Sequence, residues 1–193
     1  MVKSLAYDLE EVITLFKETR VLELRGLSNR LIREAALENN YGKSELGVIA
    51  YALHKIETKP HLVHSPNWGR IKNGVIHGLD TAFFAAKQDN QKLFIENLKK
   101  VVMGINQIDA EMGNFAQSIY DKAKVKQASL AYSYGLSISQ AGDLTGADKK
   151  ELQSYIGFTT MHDEELEEKG ITQRVAELKE ILSGKEPEDL DRA

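Results

Sequence analysis

The sequence contains no cysteine. That absence excludes disulfides, thiolate zinc sites, iron–sulfur clusters and a cysteine nucleophile. Proline is nearly as scarce, occurring only at Pro60, Pro66 and Pro187, so long stretches are free of the strongest helix breaker. Nowhere does the chain reach the roughly eighteen consecutive apolar residues that a membrane span requires. Its opening, MVKSLAYDLEE, meets acidic residues before an apolar core can build up, and is not read as a signal peptide. A cytoplasmic protein that does not enter membranes is expected. Alternating apolar and polar strand patterns, internal repeats, low-complexity tracts, glycine-rich phosphate cradles, nucleophile elbows and paired-carboxylate sites are also missing.

What is present suits a folded chain. Of 193 residues, 42% are hydrophobic and 28% charged, enough apolar material for a core and too much for a disordered polyelectrolyte. The net charge of −4 is unevenly placed: residues 161–193 carry 11 of the 29 acidic residues but only 5 of the 25 lysines and arginines. A slightly basic body is thus followed by an acidic extension, suited to folding back on the body or meeting a basic protein partner.

The apolar spacing is helical throughout. Leu5, Leu9, Val12 and Phe16 form one face of a first helix, with Ser4 as its expected cap. A second helix is expected after Gly26, capped by Ser28 and closing around Asn39, Asn40 and Gly42. Ser44 is expected to open a third, with Leu46, Ile49, Leu53 and Ile56 inward. Residues 57–66 read as a proline-bounded loop, and Ser65-Pro66 as the start of a fourth helix whose stripe is Trp68, Ile71, Val75, Leu79, Phe83 and Ala86. Gly74 and Gly78 within it read as packing positions. Beyond an expected cap at Asp89, the series Phe94, Leu98, Val101, Ile105, Ile108, Met112, Phe115 and Ile119 makes a heptad-type seam, with Gly104 and Gly113 beside it. The seam either faces other helices of its own bundle or forms a coiled-coil homodimer. After Gly170, a last amphipathic helix is expected through Ile171, Val175, Leu178, Ile181 and Leu182, stopped by Gly184.

The most specific local pattern is QASLAYSYGLSISQAGDLTGADKKELQSYIG at 127–157. Ala141 and Gly142 are small residues in a short helix, Gly146 is a turn glycine, and Ala147, Leu152 and Tyr155 are placed for the inner face of a following helix. This segment of about thirty residues resembles the DNA-binding helix-turn-helix of small prokaryotic regulators, some antitoxins among them. The resemblance implies a recognition helix at 148–156, with Asp148, Lys149, Lys150, Gln153 and Ser154 outward. Lys149 and Lys150 would touch phosphates, Gln153 would read a base edge, and Ser154 would share the contact surface on duplex DNA. Lys122, Lys124 and Lys126 upstream would add charge to the module. Acidic Asp148 and Glu151 depart from the expected basic face, and the alternative is a tight corner of a bundle.

A second constellation is Arg70, Asn73 and His77, clustered at helical spacing opposite the Trp68–Phe83 stripe, with Phe84 on the same side. An exposed arginine and histidine can bind an RNA phosphate and move protons in its cleavage without a metal. The pair resembles the Arg-x4–6-His motif of HEPN ribonucleases, which implies a metal-independent ribonuclease; the plain alternative is a solvated helix face. His54, His61 and His64 join His77 as conceivable zinc ligands, but without cysteine or an HExxH spacing no metal is expected, and no cofactor.

The expected architecture is all-α: a multi-helix bundle at 1–120, a helix-turn-helix-like module at 121–160, and an amphipathic helix with acidic tail at 161–193. The expected function is that of a non-enzymatic DNA-binding or regulatory protein, with the ribonuclease and a helical protein-interaction adaptor as alternatives.

Overall fold

The computed structural model describes residues 2–111 and 118–165, with side chains described at 2–108 and 118–158. A 3₁₀ turn, Val2–Leu5, leads into α1 (Ala6–Lys17), α2 (Val21–Glu38), α3 (Tyr41–Glu57), the single turn α4 (Pro60–Val63), α5 (Trp68–Lys87), α6 (Gln91–Glu111), α7 (Ile119–Ser133), α8 (Ile138–Thr145) and α9 (Lys149–Glu165). There is no strand among the described residues, and the fold is an all-α multi-helix bundle. Nor, among them, is any helix long and apolar enough to cross a membrane.

Residues up to Tyr155 form one compact unit, which takes in most of the segment 121–160 that the sequence sets apart. A second unit begins at Ile156 and is described, as helix, to Glu165. The acidic extension beyond Glu165, including the expected helix at 171–182 and its Gly184 stop, lies outside the described residues.

The first unit is built on two close helix pairs, α2 with α3 and α5 with α6. Each has a glycine at the contact. A Cβ on Gly47 would lie 2.9 Å from Ile32 Cγ1, and one on Gly78 would lie 2.8 Å from Val101 Cγ2. Gly78 is thus a packing position as expected, whereas Gly74 is exposed with nothing within 4 Å of a built Cβ. Helix α1 packs on α5, α2 and α3, and α7 on α3, α2, α6 and α8.

The inward residues match the periodic reading. Leu9, Val12, Phe16, Leu46, Ile49, Leu53, Ile56, Val75, Leu79 and Ala86 are buried, while Trp68, Ile71 and Phe83 are half-buried. Trp68 meets Phe16 edge-on at 6.4 Å between ring centroids and anchors the start of α5 to α1.

Several boundaries differ, for identifiable reasons. Ser4 does not cap α1, because the 3₁₀ turn already sets Leu5 in helical backbone. Helix α2 begins at Val21 and runs through Gly26, and Ser28 is not its cap. The Ser28 hydroxyl is buried and donates to the Gly47 carbonyl at 2.7 Å, tying α2 to α3. Helix α3 starts ahead of Ser44, since Asn40 accepts from the Lys43 amide at 3.1 Å and caps it. Asn39, left-handed at φ 51°, closes α2 where expected. Pro60 opens α4 inside the expected loop, and after it the Trp68 amide donates to the Ser65 carbonyl, so α5 starts two residues beyond Pro66. Asn90, not Asp89, caps α6 by accepting from the Leu93 amide at 3.1 Å; Asp89 precedes it in left-handed backbone.

Phe94, Leu98, Val101, Ile105 and Ile108 are buried as the seam requires. Met112, Gly113 and Phe115 lie outside the described residues. Ile119 belongs to a new helix: Ser118 has extended backbone, with ψ 154°, and accepts from the Asp121 amide as the cap of α7. Tyr120 fastens α7 to α3 by donating its hydroxyl to Glu45 Oε1 at 2.5 Å. Burial, followed by the charge of Glu45, pushes the Tyr120 phenol well above its usual range.

Candidate functional site

The corner between α8 and α9 is specified residue by residue. Ser137 and Gln140 form a reciprocal capping box: the Ser137 hydroxyl accepts from the Gln140 amide, and Gln140 Oε1 accepts from the Ser137 amide at 2.9 Å. Helix α8 ends at Gly146, whose φ of 69° is left-handed backbone that favours glycine. The Ala147 amide then donates back to the Gly142 carbonyl at 3.1 Å. Asp148 Oδ1 accepts from the amides of Lys150 and Glu151 at 2.9 and 3.0 Å. Asp148, one of the two acidic residues that depart from a basic recognition face, is therefore engaged in capping α9, where a carboxylate complements the helix dipole, while Glu151 is exposed in its first turn.

Ala141, Leu144, Ala147 and Leu152 are buried and Tyr155 is half-buried, so the expected inner positions do face inward. Lys149, Lys150, Gln153 and Ser154 are exposed together on α9. Their roles are not equivalent. Lys149 Nζ lies 3.0 Å from Asp143 and donates to the Ser139 hydroxyl at 2.9 Å, so it braces α9 against α8. Gly142 makes room for this brace, since a Cβ there would meet Lys149 Cγ at 3.2 Å. With side chains 52% and 59% exposed, the pair is worth about 0–1 kcal/mol and opens readily to a competing anion. The Lys150 ammonium has no such brace among the described residues, and its side chain is exposed.

No protein family model, curated protein or solved structure matches this chain.

The lysines of α7 do not act as one group. Lys124 lies 2.7 Å from Asp121 and over the Tyr120 ring, whereas Lys122 and Lys126 line a cleft with Lys55 of α3 and Lys59, the residue that precedes α4. The cleft has a volume of about 610 Å³ and an apolar floor of Ile119, Ala123 and Val125, and Tyr51 and Tyr155 complete it. No aspartate or glutamate is among its described lining residues. Lys55 Nζ lies 5.9 Å from the centre of the Tyr51 ring, and Lys126 Nζ 5.4 Å from that of Tyr155. Burial raises the Tyr51 pKa, against the opposing charges of Lys126 and Arg25. A smaller cavity of about 240 Å³ shares Tyr51 and Lys126 and is lined also by Arg25, Asn29 and Gln127. The Gln127 amide oxygen is buried without a hydrogen-bond partner among the described residues.

The sequence holds a signal for this cleft that goes unread one helix at a time. Tyr51, Lys55 and Lys59 step by four, as do Lys122 and Lys126. Each series alone looks like a solvated face, and only the packing of α7 on α3 joins them.

Arg70, Asn73 and His77 are exposed along α5, and Phe84 is 61% exposed. The histidines do not gather. His54 is buried and pairs through Nδ1 with the Val21 carbonyl at 2.9 Å; its burial lowers its pKa. His64 pairs through Nδ1 with the Pro60 carbonyl, and His61 is exposed. Among the described residues, no group of three or more His, Asp or Glu side chains could hold a metal ion.

Proposed function

We propose that this chain is a DNA-binding regulatory protein and that α9 is its recognition helix. The observation that carries the reading is the α8–α9 corner: a left-handed glycine turn at Gly146, a buried inner face at Ala147 and Leu152, and a polar outer face of Lys149, Lys150, Gln153 and Ser154. Exposed polar residues on the first turns of a second helix are what a major groove can accept.

Lys150 contacts a phosphate as a point charge. Lys149 joins it by exchanging Asp143 for a phosphate oxygen. Gln153, one turn on from Lys150, presents an amide that can donate to N7 and accept from N6 of adenine, and Ser154 lies beside it. Asp148 stays with the helix N-terminus, which offsets its charge near the backbone.

The test is recovery of duplex DNA from a random-sequence pool at low salt, followed by titration of the enriched duplex. Lys150→Gln should weaken binding across sequences and reduce the salt slope by about 1, the signature of one lost phosphate contact. Gln153→Ala should relax the preference at one base pair, worth about 1–3 kcal/mol, with the slope unchanged. No enrichment from the pool, or enrichment unaffected by both substitutions, would overturn the reading.

A further inference from the structure

We infer that the cleft between α3 and α7 is a binding site for a nucleotide, a small molecule with phosphate groups and a flat ring. Two features of the lining argue for this class. Lys55 and Lys126 bring two ammonium groups to one cleft, Lys59 and Lys122 line it too while each holds an interaction of its own, and its described lining has no carboxylate, so it favours a ligand of negative charge. Tyr155, half-buried, stands beside these ammoniums over an apolar floor and offers part of its ring to a flat aromatic group, with the buried Tyr51 forming the wall behind.

Size supports a small molecule. A volume of about 610 Å³ falls within the range of about 300–1,000 Å³ usual for small-ligand pockets. The adjoining cavity brings Arg25, Asn29 and Gln127 to the far side of Tyr51 and Lys126. Gln127 is 1% exposed and its Oε1 has no partner among the described residues, so the wall there includes an acceptor whose bond the described groups do not supply. An amino group or ring N–H of a base is a donor of the matching kind.

The cleft is also separate from the outer face of α9. At about 100° per residue, Tyr155 lies more than a third of a turn from Lys150 and Gln153 and about 100° from Ser154. A ligand beside Tyr155 therefore leaves that face uncovered while touching the helix that carries it. This inference does not rest on DNA binding by α9, and its test uses no duplex DNA.

Isothermal titration calorimetry of the full chain against ADP, adenosine and inorganic pyrophosphate should give saturable binding of ADP at one site. Both fragments should bind more weakly, because each forgoes either the ring contacts or the charges. Lys55→Glu and Lys126→Glu should each weaken ADP by roughly tenfold, the effect being larger at low salt. Tyr155→Leu should weaken ADP while leaving pyrophosphate unchanged. An unchanged melting temperature certifies that each variant is folded, and Lys55, being exposed, gives the variant least able to disturb the core. The inference is overturned if ADP, GDP, CDP and UDP all fail to bind at millimolar concentration. It is equally overturned if ADP binding ignores both lysine substitutions, or if single-stranded oligonucleotides bind the cleft and mononucleotides do not.

Discussion

One substitution made at two glycines should change stability in opposite directions. Gly26 and Gly47 both lie inside helices, α2 and α3, in ordinary helical backbone. Gly→Ala in a helix interior gains about 0.8–1 kcal/mol from the reduced backbone entropy of the unfolded chain and the better propensity of alanine. At Gly26 nothing lies within 4 Å of the added Cβ, so the whole gain should appear as stabilisation. At Gly47 the new atom would sit 2.9 and 3.0 Å from Ile32 Cγ1 and Cδ1 and 3.4 Å from Leu31 Cβ. Ile32 is fully buried, and Cγ1 is not the far end of a flexible chain, so α2 and α3 must separate or Ile32 must leave its rotamer. Overpacking of this kind costs about 1–3 kcal/mol, which outweighs the propensity gain. For a chain of this size each kcal/mol moves the midpoint by roughly 2–4 °C. Thermal unfolding followed at 222 nm should therefore show Gly26→Ala raising the midpoint by roughly 2–4 °C and Gly47→Ala lowering it by a comparable amount. Stabilisation by both would refute the close α2–α3 contact. Destabilisation by Gly26→Ala would refute the continuous helix and restore a turn at that glycine.

Other expectations follow from single contacts. Ile108→Asp places a charge at a position 3% exposed and should cost several kcal/mol, read as loss of the cooperative unfolding transition at room temperature; an unchanged midpoint would show that α6 does not bury this face. Tyr120→Phe removes a hydrogen bond to the Glu45 carboxylate and should cost about 1.5–3 kcal/mol in a urea titration, whereas a neutral result would show that water replaces the phenol without loss. His54 has a lowered pKa through burial, so its neutral form is the folded one. The stability this contributes is complete above its unfolded value of about 6.5 and is lost as pH falls from there through the folded value. Urea midpoints of the wild type should accordingly drop below that pH more steeply than those of His54→Gln, and parallel profiles would contradict the assignment.

The sequence disclosed faces better than boundaries. Leu46, Ile49, Leu53 and Ile56 are legible because a 3.6-residue repeat of large apolar side chains has one good burial solution. Ser28 and Ser44 mislead because serine is as suited to a buried cross-helix contact as to a cap, and only the neighbouring helix decides between them. Ser28 reaches the Gly47 carbonyl, while Asn40, with its αL partner Asn39, takes the capping role that Ser44 was expected to fill. The capping pair Ser137 and Gln140 went unread, but the α8–α9 corner was legible at its turn glycine, Gly146, and at its inner positions Ala141, Ala147 and Leu152, because these determinants are local. The lysine cleft was not, since its two halves are some seventy residues apart in the chain and neither is distinctive until α3 and α7 pack.

The central claim, that α9 reads DNA, is tested most directly by where DNA touches the protein. Backbone amide resonances of isotopically labelled protein can be followed by NMR during titration with the duplex selected from the random pool. The largest shifts should fall at Lys149, Lys150, Gln153 and Ser154, and raising the salt concentration should reverse them. Shifts that instead cluster on the exposed face of Arg70, Asn73 and His77, or that are absent at every salt concentration, would contradict it.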